Sequence, residues 1–293
     1  MQKVFVRMGG GLGNQLFQYA AAASFAGMDG VRGLSVEPDE HSTLDDLAPG
    51  MVRHASRVER LSIGDCAFVR PALLQRVLAK TLRSRARLAR SRFYGQSDEL
   101  ADAFAIRPEG IRPCVLRGYF QDPSWYEGAV ESVIEGLLGH APVGRETSVD
   151  GDNYTILSSR RGDYLPLGWD LSVQYYFDAL EQFEDDAPLV VVGDDATFVV
   201  SLGEELARRG RRVIDAPLMH AHHAVSDFWS IAGAKNVVMS NSTFCWWATS
   251  VGTLRRQARG ATGTVVFPDQ WLKGEGARLR QPTWTPVDSS RSQ

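Results

Sequence analysis

Gly9-Gly10-Gly11-Leu12-Gly13-Asn14-Gln15-Leu16-Phe17-Gln18-Tyr19 is the stretch whose reading decides the fold. It follows the short apolar run Val4-Phe5-Val6-Arg7-Met8 and opens an Ala-rich segment that reads as a helix to about Ala26. Strand, glycine loop and helix in that order is how α/β proteins bring backbone N–H groups to an anion, because a helix start carries unpaired donors and partial positive charge. The spacing excludes a dinucleotide fingerprint, which from Gly11 would need glycine where Leu16 stands. No Gly-Lys-Ser/Thr follows, so it is not a P-loop either. Glycines with Asn14 and Gln15 in the elbow suit a polar sugar or phosphate ligand.

The second half of the chain alternates regularly. Tyr154–Ser158, Pro188–Val192, Arg212–Ile214, Val237–Ser240 and Thr264–Phe267 read as strands. Between them Ser172–Phe183, Thr197–Arg209, Ser226–Ala234 and Thr243–Val251 read as helices. Strands alternating with helices imply a parallel sheet covered on both faces. In the first half Cys114–Gln121 reads as a strand ending in an aromatic turn, followed by an acidic helix from Pro123 to about Leu138. Residues 27 to 70 read as irregular, and the tail after Pro286 as polar. His140–Asn153 is the best linker, which divides the chain into residues 1–145 and 146–293.

With 293 residues, 44% hydrophobic and 23% charged, the chain has the make-up of a globular protein of one large or two ordinary domains. A net charge of -3 argues against a general nucleic-acid binder. Cys66, Cys114 and Cys245 are odd in number and show no metal-ligand spacing, which suits a reducing compartment. Neither a signal peptide nor an eighteen-residue apolar run is present, so a cytoplasmic location is expected. Residues 71–92 carry seven basic side chains and no acid, with Leu73, Leu74, Val77, Leu78 and Leu82 at helical spacing. This amphipathic basic helix is either a solvated face or a peripheral contact with the inner face of a membrane.

Three polar clusters follow strands of the second half, where ligands of such sheets gather. Ser158-Ser159-Arg160-Arg161-Gly162-Asp163-Tyr164 offers adjacent arginines on opposite sides of an extended segment, one for a phosphate and one for an acid. The plain alternative is a surface Arg–Asp pair worth under about 1 kcal/mol. Gly193-Asp194-Asp195 supplies carboxylates for a ribose, a base or a metal, or simply an N-cap at Asp195. Asn241-Ser242-Thr243-Phe244 supplies hydroxyls at a helix start, fit for a diphosphate or again for a cap. Trp246 and Trp247 read as core. His220, His222 and His223 are poor evidence for a metal, and no Gly-x-Ser-x-Gly elbow marks a hydrolase.

Together these pieces resemble the α-1,2-fucosyltransferases of glycosyltransferase family 11. Gly10 to Ala20 is similar to that family's N-terminal signature, and Gly118-Tyr119-Phe120-Gln121 to its mid-chain turn. Arg160-Arg161-Gly162-Asp163-Tyr164 matches the core of its His-x-Arg-Arg-Gly-Asp-Tyr motif. Tyr175-Tyr176, Asp194-Asp195, Asp227 and Asn241 to Trp247 fit the remaining blocks in order, so the resemblance spans about residues 4 to 272. It implies a GT-B-like pair of Rossmann-like α/β domains with the active site in the cleft between them. It further implies an inverting transfer from GDP-β-L-fucose to a galactoside hydroxyl of a glycan or glycolipid precursor, without a metal.

By the same resemblance Arg160 would hold the β-phosphate, supported by Arg161. Ser242 and Thr243, flanked by Asn241 and Phe244, would seat the diphosphate. Asp163, Asp195 and Asp227 would lie near the nucleotide, and Asn14 with Gly11 and Gly13 would face the reacting centre. Asp163 and Asp122 are candidates for deprotonating the acceptor. One position departs: Ser158 stands where the family has His, and serine does not titrate as imidazole does. Another nucleotide-sugar donor, or an inactive nucleotide-sugar or glycan binder, therefore stay open as alternatives, with an NAD-linked oxidoreductase weakest. Restoring the family residue by Ser158→His is expected to retain or raise activity.

Overall fold

A computed structural model describes residues 3–35, 43–56, 67–68, 88–91, 103–106, 114–116, 118–121, 123–142, 153–184, 186–214, 224–271 and 279–290. The chain divides into two compact units, Met1–His140 and Ala141–Gln293. Each is an α/β unit built on a parallel, Rossmann-like sheet.

In the first unit β1 (Val4–Met8), β2 (Val31–Ser35), β3 (Ala67–Phe68) and β6 (Cys114–Leu116) form a parallel sheet in the order β2-β1-β6-β3. The helix Leu12–Ala26 follows β1 and buries Leu12, Leu16, Phe17, Tyr19 and its alanines. Its small side chains let the helix lie close on the sheet. β2 falls inside the region expected to be irregular. Gly33 masks the alternation there: a side chain at that position would come within 2.6 Å of the Val52 methyl, so the close approach requires glycine. The expected basic helix is corrected at its end, because Leu88–Ser91 is a strand, β4, paired antiparallel with β5 (Ala103–Ile106). The rest of 71–92 lies outside the described residues. Of the acidic helix expected from Pro123, the first residues form a 3₁₀ turn, Pro123–Trp125, and the α-helix itself is Val130–Leu138.

The second unit follows its sequence pattern closely. β7 (Thr155–Ser159), β8 (Leu189–Gly193), β9 (Asn236–Val238), β10 (Val265–Pro268) and β11 (Thr285–Val287) are all parallel, in the order β11-β10-β9-β7-β8. Val213 extends the β8 edge by a single parallel bridge to Leu189. Counted with that bridge, the order is the 3-2-1-4-5-6 of a doubly wound nucleotide-binding sheet. β7 and β8 are continuous runs of buried residues, as strands covered on both faces must be. Leu157, Val191, Val238 and Val266 pack with Tyr175, Tyr176, Val199 and Leu202 from the flanking helices. β11 overlaps the tail expected to be polar after Pro286 only at Val287; it is an edge strand, where Pro286 is tolerated because no second neighbour needs its N–H. The helix begun at Thr243 runs to Ala258.

Candidate functional site

The sheet order of the second unit reverses between β7 and β9, and open α/β sheets bind ligands outside the strand ends at such a point. The segments leaving β7 and β9 there are Arg160–Tyr164 and Met239–Thr243, the first and third sequence clusters. They are in contact. The Tyr164 hydroxyl donates to the Asn241 carbonyl at 3.3 Å, and the Asn241 amide nitrogen donates to the Trp169 carbonyl at 2.8 Å. The Tyr175 hydroxyl donates to the Met239 carbonyl at 2.6 Å, fixing the second segment from below. Burial pushes the Tyr164 phenol up to about 12, so this bond keeps its proton throughout the neutral range.

Both arginines are held by carboxylates, and two of those carboxylates escaped sequence reasoning as individual site residues. Arg160 Nη1 lies 2.9 Å from Asp194 Oδ2, Nη2 lies 2.7 Å from Asp163 Oδ1, and the guanidinium carbon stands 5.4 Å from the Tyr164 ring centre. The other Asp194 oxygen accepts the Arg161 N–H at 2.7 Å. Gly162 is needed beside it, since a side chain there would meet Asp194 Oδ2 at 2.9 Å. Arg161 pairs with Asp170 at 3.3 Å and more loosely with Asp195 at 3.6 Å, and lies 4.1 Å over the Phe198 ring. Asp195 also accepts the Phe198 N–H at 3.1 Å and so caps the Ala196–Arg208 helix, the plainer of its two sequence readings. Arg161 is therefore held within the fold by two carboxylates and a ring, although its Nε has no hydrogen-bond partner among the described residues. Arg160, a third exposed, is the arginine that faces outward. No signal in the sequence marks Asp170, which sits eight residues beyond Gly162.

Ser242 occupies the N-cap of the Thr243–Ala258 helix, yet its hydroxyl makes no capping bond. The first turn of that helix presents backbone N–H groups and the positive end of its dipole. Asn241 Oδ1 is buried with no hydrogen-bond partner among the described residues. Phe244 packs edge-on against Phe228 at 5.7 Å, and Asp227 is buried in the first turn of the Ala224–Gly233 helix. Trp246 and Trp247 are core, fully buried and edge to face at 5.1 Å. Ser158 is buried, only 5% exposed. Its hydroxyl lies 3.4 Å from that of Ser240 and bonds the Cys245 thiol, which burial raises above its ordinary pKa.

In the first unit the order reverses between β1 and β6, and again the glycine loop and the Gly118–Gln121 turn stand there. The Gln121 amide donates to Asn14 Oδ1 at 3.2 Å. Phe120 before it is the one described non-glycine residue with positive φ, at 55°, a strained conformation for a buried aromatic. The expectation that this loop offers its N–H groups to an anion needs correcting at Gly9. Gln18 Oε1 accepts the Gly9 N–H at 2.9 Å and Gln18 Nε2 donates to the Gly9 carbonyl at 3.2 Å. Gln15 Nε2 donates to the Gly10 carbonyl at 2.9 Å. Gly11 is the N-cap of the Leu12–Ala26 helix and Gly13 lies in its first turn.

Asp122 and the trio His220, His222 and His223 lie outside the described residues. Among the described residues no group of three or more His, Cys, Asp or Glu side chains is placed to hold a metal ion, and no helix is long and apolar enough to cross a membrane.

No family model matches the chain. The chain is similar to the O-antigen biosynthesis glycosyltransferase WbnK of Escherichia coli, 22% identical over 188 residues, which is 58% of this chain and 59% of that protein. It thus spans about three-fifths of the length of the curated relative it matches. Among solved structures it is similar to the fucosyltransferase NodZ from Bradyrhizobium, with 13% identity, a TM-score of 0.43, and 85% of this chain and 92% of that one covered. NodZ alpha-1,6-fucosyltransferase soaked with GDP-fucose scores 0.44 at 13% identity over the same shares. The E. coli heptosyltransferase WaaC with ADP scores 0.41 at 12%, covering 98% and 91% of the two chains.

Proposed function

We propose that the chain is a glycosyltransferase of GT-B-like build that seats the diphosphate of a nucleotide sugar at the second unit's switch point. The observation that carries this is the hydrogen bond from the Tyr164 hydroxyl to the Asn241 carbonyl, which joins the turn bearing Arg160 to the segment that opens the Thr243–Ala258 helix. The two segments follow β7 and β9. Departure of a sugar from its nucleotide leaves negative charge on the diphosphate and positive charge on the ring. A guanidinium, the Ser242 and Thr243 hydroxyls and helix-start N–H groups are fixed donors for the former, and such preorganised donors supply the largest share of rate enhancement in many enzymes. The buried Asn241 Oδ1 is an acceptor that a ligand N–H or O–H would satisfy.

The motif resemblance favours GDP-β-L-fucose as donor, with inverting α-1,2 transfer to a galactoside hydroxyl of a glycan or glycolipid precursor. WbnK, a glycosyltransferase by name, supports the reaction class. The setting of Ser158 favours one second reading, a donor other than GDP-fucose, since a buried hydroxyl bonded to its neighbours stands where the family has His.

Titration with GDP, UDP and ADP followed by turnover of the matching sugar nucleotides tests both. Arg160→Ala is expected to lower kcat/KM by about 10²–10³, the loss typical of one transition-state donor. Unchanged turnover would refute the phosphate role. Because the charge is met by fixed cations and N–H groups, activity is expected to persist in EDTA.

A further inference from the structure

Arg160 is gripped by two carboxylates of unequal freedom. Asp194 is 17% exposed and its second oxygen is tied to the Arg161 N–H at 2.7 Å, so it cannot leave without breaking the turn. Asp163 is 63% exposed, stands in the turn that follows Arg161, and pairs with Arg160 at 2.7 Å. Around the site four carboxylates, Asp163, Asp170, Asp194 and Asp195, face two guanidinium groups, an excess of negative charge that a diphosphate would enter.

We propose that Asp163 is an internal competitor for the anion seat. Its carboxylate covers the outer side of the Arg160 guanidinium and swings into solvent when a nucleoside diphosphate binds, while Asp194 stays as the positioning residue. The proposal rests on the reading that Arg160 takes a phosphate. The exchange replaces one charge-assisted Arg–oxyanion contact by another of the same fork geometry, so the guanidinium is never left bare. It needs only a side-chain rotation, because Asp163 projects from the surface of a turn. A pair this exposed holds weakly.

Calorimetric titration of the full chain with GDP tests it, using wild type, Asp163→Asn, Arg160→Ala and the double variant. Asp163→Asn is expected to tighten GDP binding by about two- to fivefold, the span set by the strength of exposed ion pairs. In the Arg160→Ala background that gain is expected to vanish, because the competitor then has nothing to guard. Asp163→Ser, which removes the charge with a different side chain, is expected to behave as Asn does. Unchanged or weaker GDP affinity in both Asp163 variants overturns the proposal. An equal gain with and without Arg160 also overturns it, since Asp163 would then act by distant repulsion alone. Loss of kcat with unaltered GDP affinity overturns it too and assigns Asp163 to proton transfer. Arg160→Ala with wild-type GDP affinity is a separate result: it sinks the phosphate role of Arg160 itself.

Discussion

Replacing Asp194 by Asn isolates the hub that orders the arginine turn. The variant keeps one oxygen to accept the Arg161 N–H, now 2.7 Å from a carboxylate, but turns an amide NH₂ toward Arg160 Nη1, now 2.9 Å from the second oxygen. Two losses add. The backbone bond falls from charge-assisted to neutral, a difference of about 1 kcal/mol. The ion pair, with Arg160 a third exposed, contributes a further loss of no more than about 1 kcal/mol after solvent screening. Together this is about 1–2 kcal/mol, or a fall in melting temperature of about 2–8 °C for a domain of this size. Asp194→Ala is expected to lose about 1 kcal/mol more, because the Arg161 N–H then has no partner. Urea unfolding of both variants, followed by circular dichroism, reads the difference directly. An Asn variant within about 0.3 kcal/mol of wild type would refute the assignment of Asp194 as hub. So would an Ala variant no worse than Asn.

Ser158→His, read from sequence alone as tolerated, is expected to destabilise the second unit by about 1–3 kcal/mol, since an imidazole must enter a closed cluster of Ser240 and Cys245; a wild-type urea midpoint would disprove the packing. Stability is expected to fall as pH rises from 10 to 12. Burial pushes the phenols of Tyr164 and Tyr19 up to about 12, so the unfolded chain loses these protons first and the native state forfeits stability that is complete below pH 10. Urea midpoints that hold steady across that window would contradict it. Gln18→Leu is expected to weaken the first unit by about 1–3 kcal/mol by stripping the Gly9 N–H and C=O of their partner, while leaving GDP affinity as it was. Altered GDP affinity would bring the glycine loop into donor binding.

The second unit was legible because its strands are unbroken runs such as Leu189-Val190-Val191-Val192, which only a sheet covered on both faces can use. Once the alternation is read, topology places Arg160 and Ser242 at one strand edge without further information. What the sequence hid is pairing across loops. Asp170 and Asp194 reach the arginines through tertiary contacts that no spacing rule encodes. β2 was hidden because Gly33 interrupts its alternation, and its reason is Val52, nineteen residues on. β4 was hidden behind a basic run whose leucines also satisfy a helical period.

The two units share one topological device and equip it differently. Each brings two loop segments together where its strand order reverses, and each begins a helix there. In the first unit the loop behind that helix is bound by neutral amides: Gln15 and Gln18 take the Gly9 and Gly10 groups, and Gln121 reaches Asn14. Such a surface matches hydroxyls, whose hydrogen bonds are short-ranged and directional. The second unit surrounds its switch point with guanidinium groups and paired acids, which respond to charge over a longer range. A diphosphate gains most where a cation can exchange partners without being bared, and Arg160 is the described side chain so arranged. Under the proposed function, that difference in charge, with the backbone plan held constant, favours the second unit as the donor side and the first as the side of a neutral, hydroxyl-bearing acceptor.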